Sequence, residues 1–490
     1  MTPGLVVTIM AIYFAILIFI SWLTSRGADT NTFFTANRQS PWYLVAFGMI
    51  GSSLSGLTFI SVPGNVGNIG LGYFQLVLGY LVGYWVIILI LMPLYYKLNL
   101  ISIYTYLEQR FDTWSYKTGA FFFLVSRSLG SALRLYLAAT VLQLFLFDAW
   151  GVPFIVTVAT TIILIWVYTF KGGVKTIVYT DSFQTLFLVT AVCVAVWQIS
   201  SQLGYSFGHI VDIFSDSKYS RIFHFDDPNT TLWFPKMFLG GLFITVTMTG
   251  MDQEIMQKNL TCKNLGEAQK NMFWFSITLV IVNLLFLLLG ALLYIYSEEH
   301  NIPLPASSDN LFPTLALNHL GLVVGIFFLL GIIASSYASA DSALAGLTTS
   351  FCIDFLNFKN KKEEQKKREK FIVHLGFSLL FLVIIVVFKE INERSVIDAV
   401  LKIAGYTYGP LLGLFSFGLF TTRKVNGLAV PFIAVACPLI CWFISSNVPG
   451  WFGGYQIGFE VLLINGALMY LGLFLFSKKN TEQPISHTQL

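Results

Sequence analysis

Charge is scarce in this sequence. Asp, Glu, Lys and Arg make up 11% of the 490 residues, and 56% are hydrophobic, whereas soluble domains carry about 25% charged residues. A chain with so few charges cannot cover two or three soluble domains with polar surface. About 13 apolar runs of roughly 20 to 28 residues leave only short connections. The composition therefore predicts an all-α polytopic membrane protein without a separate soluble domain.

Cysteine and histidine are also few. No His-Glu-x-x-His motif occurs among the six histidines, which gives no support for an intramembrane metalloprotease. No catalytic pair is visible, so we expect no enzyme. The five cysteines form no framework of paired spacings, so we expect buried thiols rather than disulfides. They are Cys193, Cys262, Cys352, Cys437 and Cys441.

The apolar runs predict the membrane spans. The first run has no basic region before it and no small-residue cleavage site after it, which favours a retained span over a cleaved signal peptide. The approximate bounds of the runs are 4–23, 42–66, 70–95, 118–147, 152–170, 176–201, 231–256, 271–297, 314–352, 371–389, 397–421, 427–446 and 456–477.

Basic residues in the connections predict the orientation. Alternate connections form two groups, of which one holds 21 lysines and arginines, including Lys258, and the other holds four. The four are Lys218, Arg221, Lys389 and Arg394. The positive-inside rule then places the N-terminus outside and the C-terminus in the cytoplasm. The basic run 359–370 is expected to face anionic membrane lipid, and no nucleic acid is expected as a partner.

Two of the runs contain helix-breaking sequences. They are Gly51-Ser52-Ser53-Leu54-Ser55-Gly56 and the glycine- and threonine-rich stretch 239–250. Backbone freed at membrane depth is tolerated where it is buried in protein or lines a watery cavity, although small residues also allow close helix packing. The two runs lie five spans apart, and an odd repeat length inverts the second unit. This predicts two inverted five-helix repeats with a binding site where the broken helices meet.

Two aspartates fall within predicted spans. Asp181 opens one span, and Asp341 lies deeper, in the serine-rich segment 335–342. A carboxylate inside the bilayer costs at least about 2.5 kcal/mol, so each needs a partner, an ion or a cavity. Hydroxyls that share one helix face beside Asp341 offer hard oxygen ligands, which suit sodium rather than a transition metal; they belong to Ser335, Ser339 and Ser342. The alternative is a small-residue packing face in which Asp341 pairs with Arg134.

Four basic residues fall inside apolar runs. Arg134 lies in mid-span, and Arg127 lies two turns earlier on the same face. A guanidinium at this depth suits a carboxylate, either of a protein aspartate or of a bound solute. Lys236 and Lys402 lie near span ends and are expected to extend toward water.

Four segments, taken in chain order, carry a family resemblance. They are Gly172-Gly173-Val174-Lys175 with Thr180-Asp181-Ser182-Phe183-Gln184; Gly250-Met251-Asp252-Gln253 with Gln257-Lys258 and Asn264-Leu265-Gly266-Glu267-Ala268; Ala338-Ser339-Ala340-Asp341-Ser342 through Asp354; and Gly405-Tyr406-Thr407-Tyr408-Gly409-Pro410-Leu411-Leu412-Gly413 through Gly418. Together they resemble the sodium:solute symporter family, which includes sodium-coupled sugar, proline, pantothenate and sialic acid carriers.

The resemblance implies a LeuT-type fold with broken first helices. An extra N-terminal helix would occupy 1–30, the two five-helix repeats 40–205 and 230–425, two further helices 426–478, and a short cytoplasmic tail 479–490.

The resemblance also implies two sodium sites. The first would use backbone carbonyls and nearby groups of Gly51, Leu54, Ser335, Ala338 and Ser339. Ala338 departs from the family, which usually has a hydroxyl there. The second, present in some members including sialic acid carriers, would use Asp181 and two positions that carry serines in those carriers, here Asp341 and Ser342. The extra acid either strengthens cation binding or admits a proton.

For the solute, the resemblance implies contacts from Ser53, Ser55 and Thr58. In sialic acid carriers an arginine of the third core helix binds the carboxylate, at a position near Gly130 here and one turn from Arg134. The sequence thus predicts a sodium-coupled importer of a small polar solute in the plasma or bacterial inner membrane, with Na+ as the co-transported ion and no organic cofactor.

The solute is expected to be an anionic sugar acid such as sialic acid. The alternative is a sodium- or proton-coupled carrier of a neutral sugar, amino acid or vitamin. A channel and a transporter-like nutrient sensor are the more remote readings.

Overall fold

The chain folds almost entirely into helices. The computed structural model describes residues 3–26, 30–169, 173–358, 361–391 and 396–479. Gly172, Arg394 and the predicted tail beyond 479 lie outside the described residues.

The helices of the first half run from α1 to α11. Their bounds are α1 Pro3–Thr24, α2 Thr30–Thr35, α3 Trp42–Ser53, α4 Gly56–Ile69, α5 Phe74–Val86, α6 Met92–Lys97, α7 Thr105–Arg110, α8 Thr113–Leu142, α9 Phe154–Thr169, α10 Gly173–Gln202 and α11 Phe207–Ser215.

The described residues of the second half form ten α-helices and one short strand pair. Their bounds are α12 Phe234–Thr245, α13 Gln253–Asn259, α14 Leu265–Glu299, α15 Leu311–Asn318, α16 Gly321–Ser350, α17 Glu363–Ile391, α18 Val396–Thr407, α19 Gly409–Phe420, β1 Lys424–Val425, α20 Ala429–Trp451, α21 Val461–Leu475 and β2 Ser477–Lys478. β1 and β2 pair antiparallel.

The helices have the length and composition of membrane spans. Within the described ranges, eight helices are long and apolar enough to cross a membrane, and two bent pairs, α12 with α13 and α18 with α19, pass the same test together. α3, α9 and α21 are shorter apolar helices. The predicted all-α membrane fold is confirmed, and the number of about 13 spans stays a prediction.

Both predicted helix breaks are present. α3 is separated from α4 by Leu54 and Ser55. In the second broken helix, α12 continues through the π-helical turn Val246–Gly250, and the break comes at Met251 and Asp252, where the chain bends by 68° into α13. The second break therefore lies just beyond the glycine- and threonine-rich stretch.

Tyrosine side chains satisfy the backbone freed at the second break. The Tyr95 hydroxyl donates to the Gly250 carbonyl at 2.8 Å, and the Tyr104 hydroxyl donates to the Met251 carbonyl at 3.0 Å. The Asp252 carboxylate caps α13 by accepting from backbone N–H groups of its first turn. These bonds replace those that a continuous helix would make, which allows the break to lie inside the protein.

Two glycines, Gly79 in α5 and Gly241 in α12, allow these two helices to pack closely. α5 packs closely along α12. A Cβ on Gly79 would overlap the Phe238 carbonyl oxygen, and a Cβ on Gly241 would overlap the Leu76 carbonyl oxygen. The backbones can therefore approach closely only because both positions lack side chains.

The serine-rich helix is surrounded by protein. α16 lies along α10 and also contacts α3 and α4. Every residue of 331–350 is buried. The serines and Asp341 of this segment therefore face other helices rather than lipid, as their polarity requires.

Two expectations about peripheral side chains are wrong. Lys236 does not extend into water, because its side chain is 4% exposed, bonds to the Gln456 carbonyl at 2.9 Å and lies 3.8 Å from the Glu460 carboxylate. Cys193 is exposed, whereas the other four cysteines are buried.

Candidate functional site

A polar cavity lies beside the first helix break. All four predicted solute contacts line it: Ser53, Ser55, Thr58 and Arg134. Further polar groups come from α5, α12 and α14 and from the turn before α5; they belong to Tyr73, Tyr80, Tyr84, Thr245, Thr249 and Asn283. Arg127, which lies on the same face of α8 as Arg134, also lines the cavity. Hydroxyls, one amide and two guanidinium groups around one cavity suit a solute that carries both hydroxyl groups and a negative charge.

Arg134 presents its charge to this cavity. Within the described ranges it forms no ion pair, and its Nε atom has no hydrogen-bond partner. Asp341, the alternative partner considered from the sequence, instead lies 3.1 Å from the Ser342 hydroxyl in a different cluster. The Arg134 guanidinium is therefore available for the carboxylate of a solute.

The first set of predicted sodium ligands lies where α3, α4 and α16 meet. Gly51 and Leu54 are at the end of α3, and the other three residues, Ser335, Ala338 and Ser339, are on α16. The Ser335 hydroxyl donates to the Ile332 carbonyl at 3.1 Å. The Ser339 hydroxyl is buried and has no hydrogen-bond partner in the described part of the chain, while Ala338 contributes no side-chain oxygen.

Thr185 adds a group that sequence reasoning missed. The Gly51 backbone N–H donates to Thr185 Oγ1 at 2.9 Å, which ties α3 to α10. Thr185 lies one helical turn after Asp181 and therefore on the same face of α10. That spacing was the available signal.

The three residues predicted for the second sodium site come together. Asp181 and Asp341 are both 0% exposed. The Ser342 hydroxyl lies 3.3 Å from Asp181 Oδ2 and 3.1 Å from Asp341 Oδ1. Two buried carboxylates that share one hydroxyl form a strongly cation-attracting cluster.

Lys258 is the unexpected member of this cluster. Its Nζ atom lies 2.6 Å from Asp181 Oδ2, and its side chain is 3% exposed. The assignment of Lys258 to a cytoplasmic connection is therefore wrong. In the sequence, Lys258 follows an apolar run and precedes further lysines, which is the pattern of a loop in the cytoplasm. The 68° bend before α13 instead places Lys258 inside the helix bundle.

A sequence comparison decides the family. The sodium:solute symporter family pattern matches residues 33–428. The chain belongs to the sodium:solute symporter family. The predicted family, the transporter class, sodium coupling and the absence of an enzymatic role are thereby confirmed.

Individual relatives of this symporter are distant but cover most of it. It is 25% identical over 462 residues to the sodium/sialic acid symporter NanT of Aliivibrio fischeri, and the alignment covers 91% of this chain and 89% of that protein. It is 27% identical over 436 residues to the sodium-coupled monocarboxylate transporter 1 of Xenopus laevis, and the alignment covers 85% of this chain and 66% of that protein.

A solved structure confirms the LeuT-type fold. A substrate-bound, outward-open Na+-coupled sialic acid symporter matches with a TM-score of 0.81 at 18% sequence identity, covering 97% of this chain and 99% of that one. A break in each of the two helices, between α3 and α4 and between α12 and α13, is what the inverted repeat of this fold requires.

A second buried charge cluster fixes the short arm of the second broken helix in this symporter. Arg127 forms an ion pair with Glu254, and its Nη1 atom lies 3.9 Å from Asp252 Oδ2. The Tyr408 hydroxyl donates to Asp252 Oδ2 at 2.6 Å. All four side chains are buried. α13 is therefore held to α8 and to the bend between α18 and α19.

Sequence reasoning required a partner for Arg127 but did not identify it. The signal was the pair of acidic residues at the second break, Asp252, which caps α13, and Glu254, which lies in its first turn. Their place at the start of α13 brings them against α8 only in the folded protein.

Proposed function

We propose that this symporter imports an acidic sugar of the sialic acid class together with sodium. The observation that carries the proposal is the Arg134 guanidinium, which faces a hydroxyl-lined cavity without a protein carboxylate. Relatives named for sialic acid and for monocarboxylates transport solutes that share a carboxylate. The polyol part of a sugar acid suits the hydroxyls of Ser53, Ser55 and Thr58.

The break in the first helix links the solute to the ion. Ser53 and Ser55 lie on either side of Leu54, whose carbonyl belongs to the proposed sodium set. An ion held between this break and the serines of α16 orders the residues that line the cavity. Sodium and solute therefore increase each other's affinity, typically by about 1 to 3 kcal/mol.

Uptake by purified protein in liposomes tests the substrate. An inward sodium gradient should drive accumulation of N-acetylneuraminic acid, whereas its methyl ester, glucose and proline should compete poorly. Preference for lactate would instead indicate a short monocarboxylate, and equal uptake of acid and ester would contradict a carboxylate-recognising site.

We further propose the sodium ligands themselves. The first ion is held at Gly51, Leu54, Ser335 and Ser339, with Ala338 alongside, and the second at the cluster of Asp181, Asp341 and Ser342. Oxygen ligands of this kind suit sodium.

Asp181→Asn should raise the sodium concentration for half-maximal uptake by about tenfold or more, because the second cluster loses half of its negative charge. Thr180→Val is the matched control, since among the described residues the Thr180 hydroxyl bonds to carbonyls of its own helix and to no other group. The measurement is solute uptake across a sodium titration. Unchanged uptake at limiting sodium would remove Asp181 from the site.

The orientation is part of the same proposal, with the N-terminus outside and the C-terminus in the cytoplasm of a plasma or bacterial inner membrane. Because Lys258 is buried in the protein, it no longer counts toward the connections. The predicted cytoplasmic connections then hold 20 basic residues and the predicted outer connections four, so the positive-inside rule still gives the same orientation. Membrane-impermeant maleimide should label Ser217→Cys in intact cells and Thr481→Cys only after permeabilisation. The reverse pattern would invert the topology.

A further inference from the structure

The charges of the second cluster do not balance. Asp181 and Asp341 contribute two negative charges and Lys258 one positive charge, and all three side chains are buried. The Lys258 ammonium contacts Asp181, not Asp341. The uncompensated charge therefore belongs to Asp341, which at this burial requires either a bound cation or a proton.

Polar atoms without a well-formed hydrogen bond lie near Asp341. Among the described residues, Asp341 Oδ2, the amide oxygen and nitrogen of Gln184 and the Tyr168 hydroxyl make no hydrogen bond of good geometry. Gln184 and Tyr168 are 0% exposed, and the Tyr168 hydroxyl lies near both Asp341 and Gln184. Buried polar groups are normally paired, so this convergence indicates a ligand.

Three helices position these atoms. Gln184 lies three residues after Asp181 and so on the same side of α10. Tyr168 is at the end of α9, and Asp341 is in the fully buried part of α16, which lies along α10. A carboxylate, an amide oxygen and a phenol oxygen are hard ligands suited to a small cation.

We propose that the second sodium ion binds Asp341, Gln184 and Tyr168, while Lys258 acts as a tethered cation that occupies Asp181. This rests on the proposed sodium binding at the acidic cluster and changes which residues hold the ion. Asp181 is then a positioning residue, because it keeps the Lys258 ammonium away from Asp341.

The tethered cation predicts a rescue. In Asp181→Asn the ammonium loses its partner and turns to Asp341, where it displaces sodium. Adding Lys258→Gln removes the competing charge. The double variant D181N/K258Q should therefore regain most of the sodium affinity lost in D181N, to within about threefold of the unmodified protein. If the ion binds Asp181 directly, the second substitution restores nothing.

Variants of Gln184 and Tyr168 test whether these side chains bind the ion. Gln184→Leu should raise the sodium concentration for half-maximal thermal stabilisation by about 10-fold or more, and Tyr168→Phe by a smaller factor. Thr180→Val again serves as the control. The purified, full-length protein is titrated with sodium chloride against choline chloride at constant ionic strength, and stability in choline alone identifies misfolded variants.

The outcomes separate the two proposals. Absence of sodium-dependent stabilisation and uptake in the unmodified protein would defeat the proposed function. Sodium dependence in the unmodified protein, combined with no rescue by K258Q or with unchanged affinity in Q184L and Y168F, would overturn only the Asp341 site. Rescue together with loss in Q184L supports it.

Discussion

Replacing Arg134 by glutamine is expected to raise the apparent Kd for an acidic sugar by about 100-fold or more. Loss of one partner from a desolvated charge pair typically costs about 2 to 5 kcal/mol, and about 2.7 kcal/mol corresponds to 100-fold. A neutral analogue such as the methyl ester should change by less than about threefold, because it makes no ion pair with the guanidinium.

The expected effect on stability distinguishes binding from structure. Arg134 has no ion-pair partner among the described residues, so its replacement leaves no protein carboxylate unpaired. The melting temperature without solute should stay the same or rise. Arg134→Lys is the graded control, because lysine keeps the charge and loses the bidentate fork, and about tenfold weaker binding is expected.

Solute binding and thermal melting of the same purified preparations check this prediction. If binding of the acid and of the ester weaken equally in Arg134→Gln, or if the solute-free protein loses stability, Arg134 has a structural role.

Arg127→Met is expected to lower the free energy of unfolding by about 3 to 5 kcal/mol. The substitution leaves Glu254 and Asp252 buried without their cation, and such orphaned charges are strongly destabilising. α13 should then separate from α8, so transport should fall as well. Chemical or thermal unfolding in detergent measures the loss.

Two controls identify the cause. Lys218→Met breaks an ion pair with Glu298 whose side chains are 62% and 45% exposed, and an exposed pair contributes at most about 1 kcal/mol. Adding Glu254→Gln to Arg127→Met removes one orphaned carboxylate and should restore part of the stability. If Arg127→Met is as mild as Lys218→Met, the pair with Glu254 is not what holds α13.

Much of the transport site could be predicted because its signals are local. The Gly-Ser pattern before Gly56 predicts the first break, and the carboxylate of Asp341 beside the Ser342 hydroxyl predicts a cation-binding face on the serine-rich helix. Ser53, Ser55 and Thr58 were implied by the family resemblance rather than by the residues alone. Each of these inferences used residues within a few turns of one another.

The cation at Asp181 could not be predicted in the same way. Lys258 and Asp181 are 77 positions apart in the sequence, and basic residues next to an apolar run are typical of a cytoplasmic connection. The same holds for Arg127. The sequence indicates that a buried arginine needs a carboxylate partner, but it does not indicate that the partner is Glu254.

The amino-acid sequence by itself determined the all-helical membrane architecture and the position of the first break, because each helix in a bilayer must satisfy its own backbone hydrogen bonds from neighbouring residues. Only the tertiary structure decided which charges pair. The 68° bend, the rotation of each helix and the close approach of α5 to α12 bring distant side chains together, and these depend on packing across the whole bundle rather than on any local segment.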